Sequence, residues 1–275
     1  MDFLIQYAHL WPELLMLLAA AGVGGILAGV FGVGGGTVFV PVLDYVLSLM
    51  GVDPAIRTHI AVGTSLAVIV PTSISSYISH RRADKVDMDV LSKYIIAVPF
   101  GVVLGSLIAA DISSYVLRVV FAIIVIIVAL KLIFDQPHWR LGKDLPSKPI
   151  TFAVGTVIGL LSTLMGIGGG VLNNTFMTLY NRPVHQAVAT SSGVGVLIAI
   201  PATIGFILAG WGEPNLPEFT LGFVHWLAVL IIIPITIYTA PIGARLAHGI
   251  EKQKLALCFG VFLLFVAAKF IYSVL

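Results

Sequence analysis

The stretch FGVGGGTVFVPVL, residues 31–43, returns in the second half of the chain as MGIGGGVLNNTFM, residues 165–177. In each, a cluster of glycines interrupts an apolar run and a short apolar arm follows, 37–50 and 171–180. Unwinding a helix inside hydrocarbon frees N–H and C=O groups, each costing several kcal/mol if unpaired, so such backbone survives only when buried in protein or lining a cavity. Glycines also leave the amides unshielded. Helices restarting at Thr37 and Val171 would present free N–H groups and a positive dipole end to the break. Two such ends related by inverted symmetry would meet near the membrane midplane as an anion site. The alternative is a pair of close-packing kinks within plain spans.

The rest of the sequence agrees with a membrane setting. Of 275 residues, 59% are hydrophobic and only 10% charged, against roughly 25% charged in soluble domains. Mean hydropathy is +1.06. These values exclude a cytosolic enzyme, a disordered chain and a disulfide scaffold, and a net charge of +2 offers no basic field for nucleic acid. The lone Cys258 forms no internal disulfide and is expected to be a small buried hydrophobe. A spanning helix needs about 20 apolar residues. Apolar runs lie at 14–31, 37–50, 60–79, 94–110 and 116–134, then at 150–165, 171–180, 187–208, 221–240 and 255–274. Residues 1–13 hold no Lys or Arg, so no cleavable signal peptide is expected.

Positive charge orients the chain. Twelve of the 15 Lys and Arg lie in 81–93, 131–148 and 245–254 or at Arg182, while Arg57, Arg118 and Lys269 fall elsewhere. The 211–220 loop carries Glu213 and Glu218 and no Lys or Arg. Putting the twelve on the cytoplasmic side makes 14–50 and 150–180 hairpins that start and finish on one face. The expected fold is an all-α polytopic membrane protein of two inverted repeats, each a glycine-broken hairpin plus three transmembrane helices. The repeats occupy 1–134 and 150–275, joined by a proline-containing cytoplasmic linker at 135–149, and both termini are expected to be periplasmic. The mixed charges of 80–93 read as a solvated cytoplasmic face. Trp139, Trp211 and Trp226 read as interface anchors, and Lys269 as snorkelling.

A second echo places the chemistry. His59-Ile60-Ala61-Val62-Gly63-Thr64-Ser65 is answered by His185-Gln186-Ala187-Val188-Ala189-Thr190-Ser191, matching at five of seven positions. The substrate site is therefore expected at Gly32, Gly34, Gly35, Gly36 and Thr37, at Gly168, Gly169 and Gly170, and at the hydroxyls of Thr64, Ser65, Thr190, Ser191 and Ser192. Those hydroxyls can donate to an anion or bond back to a carbonyl one turn earlier. Asn173 and Asn174 add neutral donors in the second half only. His59, His185 and Asp44 are possible proton or coupling sites, although the arm carrying Asp44 is short enough for it to reach water. Gly25/Gly29, Gly155/Gly159 and Gly101/Gly105 read as close-packing pairs. Neither break has the Lys of a phosphate loop. No His/Glu cluster at metal-ligand spacing appears, so neither a metal nor a cofactor is expected.

At the two glycine breaks, the Ala61–Ser65 and Ala187–Ser191 helix starts and Pro41, the chain resembles the TauE/SafE family of sulfite-exporter-like permeases, over essentially its whole length. The resemblance implies transport of sulfite, sulfonates such as sulfoacetate, or related sulfur anions across a bacterial inner membrane, with substrate contacts at the breaks, Thr64–Ser65 and Thr190–Ser192. The expected partners are that anion and the lipid bilayer; the sequence leaves the oligomeric state open. With about 100 mV inside negative, moving one negative charge outward gains about 2.3 kcal/mol, so export needs no coupling ion and is favoured over uptake. The alternatives are a cation- or proton-coupled uptake carrier for another small anion and an intramembrane enzyme, for which no nucleophile–base pair is evident.

Overall fold

A computed structural model describes residues 11–31, 35–134, 141–142, 145–247 and 252–272. Gly32 and Gly34 of the expected site, and Trp139, lie outside them. The first half contains α1 (Trp11–Phe31), α2 (Gly36–Leu49), α3 (Pro54–Arg82), α4 (Met88–Asp111) and α5 (Ser114–Ile133). The second contains α6 (Lys148–Met165), α7 (Gly170–Leu179), α8 (Val184–Ala209), α9 (Trp226–Ala247) and α10 (Lys252–Tyr272). Six of these helices are long and apolar enough to cross a membrane. The arms after the breaks are not: α2 has 14 residues and α7 has 10, about 21 and 15 Å at 1.5 Å per residue.

One departure from all-helical structure lies in the expected 221–240 span, whose first residues form a small hairpin, β1 (Thr220–Leu221) paired antiparallel with β2 (Val224–His225). Gly222 at its tip has φ +54°, the left-handed first turn position that suits glycine in a two-residue hairpin. The helix therefore starts only at Trp226.

Glycines set how closely the helices approach. Gly101 and Gly105 of α4 face the backbone of Thr156 and Leu160 in α6, while Gly155 and Gly159 of α6 face Tyr94 and Val98 of α4. These two close-packing pairs thus serve one seam from both sides, while Gly25 faces Thr236 and Thr239 of α9. α1 packs on α9 in a second cross-half seam. At the centre, α3 packs on α8 with Gly63 against Phe206 and Gly195 against Ser73, so the two helices run antiparallel. α5 and α10 do likewise, Phe121 stacking on Phe270 with 4.8 Å between centroids and Gly260 lying against Ile133.

The chain segments before α6 and at the end of α7 meet. Leu141, in the linker before α6, donates its N–H to the Leu179 carbonyl at the end of α7 (2.8 Å). Cys258 is exposed on α10, contrary to the expected burial: an apolar membrane helix directs small thiols outward as readily as Leu or Val. Lys269 places its Nζ 3.8 Å from the centre of the Tyr45 ring, a cation–π contact rather than a free snorkel.

Candidate functional site

The glycine breaks meet. A Cβ on Gly36 would strike the Gly166 carbonyl and lie 2.9 Å from the Ile167 Cα, and one on Gly166 would lie 3.1 Å from the Val62 Cα. The two breaks and α3 are therefore in backbone contact that only glycine permits. Gly35 and Gly169, equivalent in the two repeats, are the N-caps of α2 and α7, with φ of 76° and 69°. That left-handed conformation is costly for any residue with a Cβ. No side chain caps either helix start, so their first amides face the breaks with the positive end of the helix dipole. Gly35, Gly36, Thr37, Gly168, Gly169 and Gly170 are all buried.

The hydroxyls singled out from the sequence lie around this junction, and most are already committed. Ser65 donates to the Gly166 carbonyl (2.8 Å) and so ties α3 to the second break. Ser191 donates to Asn174 Oδ1 (2.7 Å) and accepts from Asn173 Nδ2 (2.8 Å). Thr190 and Ser192 bond back to the Gln186 and Ala189 carbonyls, the bonding-back alternative left open by the sequence. Thr64 and Thr190 each also accept a backbone N–H from the opposite half, from His225 and Asp87 respectively, both at 2.9 Å.

Among the described residues, two buried polar atoms at the second break have no partner: Ser162 Oγ and Asn173 Oδ1. Ser162 is fully buried, and its Oγ stands 3.4 Å from where a Gly169 Cβ would be, beside the cap of α7. Sequence reading missed Ser162. It sits four residues before the break with Ala28 at the equivalent place in the first half, so the repeat carries no signal for it.

The coupling candidates separate. His185 is exposed at the start of α8. Asp44 is buried rather than reaching water: it accepts from Thr58 Oγ1 (2.8 Å) and lies 3.5 Å from Arg57 Nε. Arg118 donates to Thr58 and to the Pro54 carbonyl. An intramembrane arginine is itself a signal, and two cations read as outliers from the charge bias thus gather on Asp44. On the opposite face Asp87 is buried, not solvated, and faces Arg182 at 3.6 Å. His59 is buried against Ala109, Ser114 and the Phe223 ring.

The family model described as Sulfite exporter TauE/SafE matches residues 17–270. Among curated relatives, a probable membrane transporter protein of Haemophilus influenzae is 30% identical over 92% of this chain and 96% of its own length. One from Methanocaldococcus jannaschii is 31% identical over 88% and 90%, and one from Bacillus subtilis is 24% identical over 94% and 97%. No solved structure matches.

Proposed function

The chain belongs to the sulfite exporter TauE/SafE family of membrane transporters, and from that premise we propose that it carries a small sulfur-containing anion, sulfite or an organosulfonate, across a bacterial inner membrane by alternating access. The observation that carries this reading is the meeting of the two glycine breaks, where uncapped helix starts and the unpartnered Ser162 hydroxyl face one buried junction. Neutral donors suit a carrier: they replace part of an anion's hydration shell, whereas a buried fixed cation would hold a desolvated anion too tightly to release.

The division into inverted halves, 1–134 and 150–275, is supported by the helix pairings. Exchanging the halves turns the α1–α9 seam into α6–α4 and leaves α3–α8 and α5–α10 paired with themselves, antiparallel. The contacts of Thr64 with His225 and of Thr190 with Asp87 join the halves at opposite ends of α3 and α8. Alternating access would open one while keeping the other. Export is the favoured direction, because an inside-negative potential alone drives it.

The test is flux into and out of liposomes at a clamped potential, offering sulfite, sulfoacetate, sulfate and chloride in turn. Saturable flux of a sulfur anion that follows the potential is expected. Gly168→Val should abolish it and Ser162→Ala should weaken it, while both leave the protein inserted and monodisperse. Unchanged flux in both variants would remove the site from the breaks, and no anion flux from folded wild-type protein would overturn the carrier reading.

A further inference from the structure

We propose that His59 and Ser114 form a proton-binding site that fastens α3, α4 and α5 together when occupied, so that transport is governed by pH at that face. The inference rests on the carrier reading above. It comes from counting protons in a buried cluster. His59 Nε2 lies 2.9 Å from the Ala109 carbonyl, which only accepts, so Nε2 carries a hydrogen. Ser114 Oγ lies 2.7 Å from the Ala55 carbonyl, which also only accepts, so the single hydroxyl hydrogen is used there. His59 Nδ1 is nonetheless 2.9 Å from Ser114 Oγ. With a neutral imidazole, two hydrogens serve these three contacts, and one contact is left without. An imidazolium donates from both nitrogens and satisfies all three bonds at once.

An aromatic ring lies against the imidazole. His59 is 5% exposed, and its ring centre lies 5.0 Å from that of Phe223, within the range in which an aromatic face attracts positive charge. The charged and titratable groups on the elements packed around it are Asp44 of α2, Asp53 and Arg57 at the start of α3, Asp111 ending α4, Arg118 of α5, and His225 of β2. Of these, Asp44 is taken up by Thr58 and Arg57, while Asp53 and Asp111 are exposed. The bonds reach from α3 to the end of α4 and the start of α5, so losing the proton unfastens this junction. His185, the repeat counterpart, is exposed, and the device belongs to the first half alone.

The test uses sulfoacetate flux at clamped potential with equal pH on both sides, because a sulfonate keeps its charge through the neutral range. Wild-type flux should rise with pH as His59 gives up its proton. His59→Gln, which keeps a donor to Ala109 and does not titrate, should lose that dependence. Ser114→Ala, which takes away the acceptor of the Nδ1 proton, should move the profile to more acid pH. In parallel, ¹⁵N-histidine NMR of the purified protein, with the His59 signal assigned by its loss in His59→Gln, reads the protonation directly. A His59 ring that stays neutral at every pH assayed, or flux with the same pH profile in both variants, overturns the proposal. Absence of sulfur-anion flux at every pH would instead overturn the carrier reading, and the NMR titration would still decide the proton site.

Discussion

His225 ends the hairpin before α9 and caps that helix, its Nδ1 accepting the N–H of Ala228 at 3.2 Å. Its own backbone N–H goes to Thr64, so one residue joins the α9 start to the central helix of the other half. Burial pushes the imidazole pKa below its usual 6.5, and the cap itself needs a bare Nδ1. The unfolded chain then takes up this proton at higher pH than the folded one. The stabilisation is therefore complete above about pH 6.5 and is lost as pH falls through the lower folded value. His225→Asn keeps a cap acceptor that does not titrate. Its thermal midpoint in detergent should fall less steeply than that of the wild type on acidification. Parallel curves for the two proteins would mean that His225 contributes no pH dependence.

Asp87 performs the matching task at the other end of the central helix pair. Its carboxylate accepts the N–H groups of Asp89 and Val90 at the α4 start, its backbone N–H goes to Thr190, and Arg182 stands beside it. Removing such a cap costs about 1 kcal/mol, so Asp87→Ala should lower the thermal midpoint clearly, with Asp87→Asn intermediate because it caps but leaves Arg182 without its countercharge. Equal midpoints in all three proteins would show that neither cap nor ion pair stabilises the fold. Most elements around these residues are legible in the sequence: the breaks are bare glycine runs, and the spans are long apolar stretches with charged ends. The contacts are not. Thr64 meets His225 and Thr190 meets Asp87 across 161 and 103 residues, and no local pattern says which hydroxyl of a repeated Thr-Ser pair will cross to the other half and which will hold a break. Asp87 reads as solvated because its neighbours Asp84 and Lys85 are, and only the fold turns it inward to Arg182.

At the scale of the molecule, the faces of the membrane follow from contacts that span several crossings. From Lys85, α4 and α5 cross twice and return the chain to the linker. There Leu141 bonds the end of α7, and Arg182 beyond α7 reaches back to Asp87. These contacts support the proposed topology, in which residues 85, 141, 179 and 182 share a face and the broken hairpin of α6 and α7 makes no net crossing. One crossing by α3 puts Met50 opposite Lys85, and one by α8 puts Asn215 opposite His185. Met50 and Asn215 indeed line one cleft of about 430 Å³. In the proposed orientation, the Lys and Arg bias puts the Lys85 face in the cytoplasm. In a Cys258→Ser background, single cysteines at Met50 and Asn215 should react with an impermeant maleimide added to intact cells, and cysteines at Lys85 and His185 only after lysis. In the proposed arrangement, three crossings between the hairpins make the second half the inverse of the first. Labelling of Lys85 and Asn215 from the same side would break that parity, and with it the inverted arrangement on which two alternately opening faces depend.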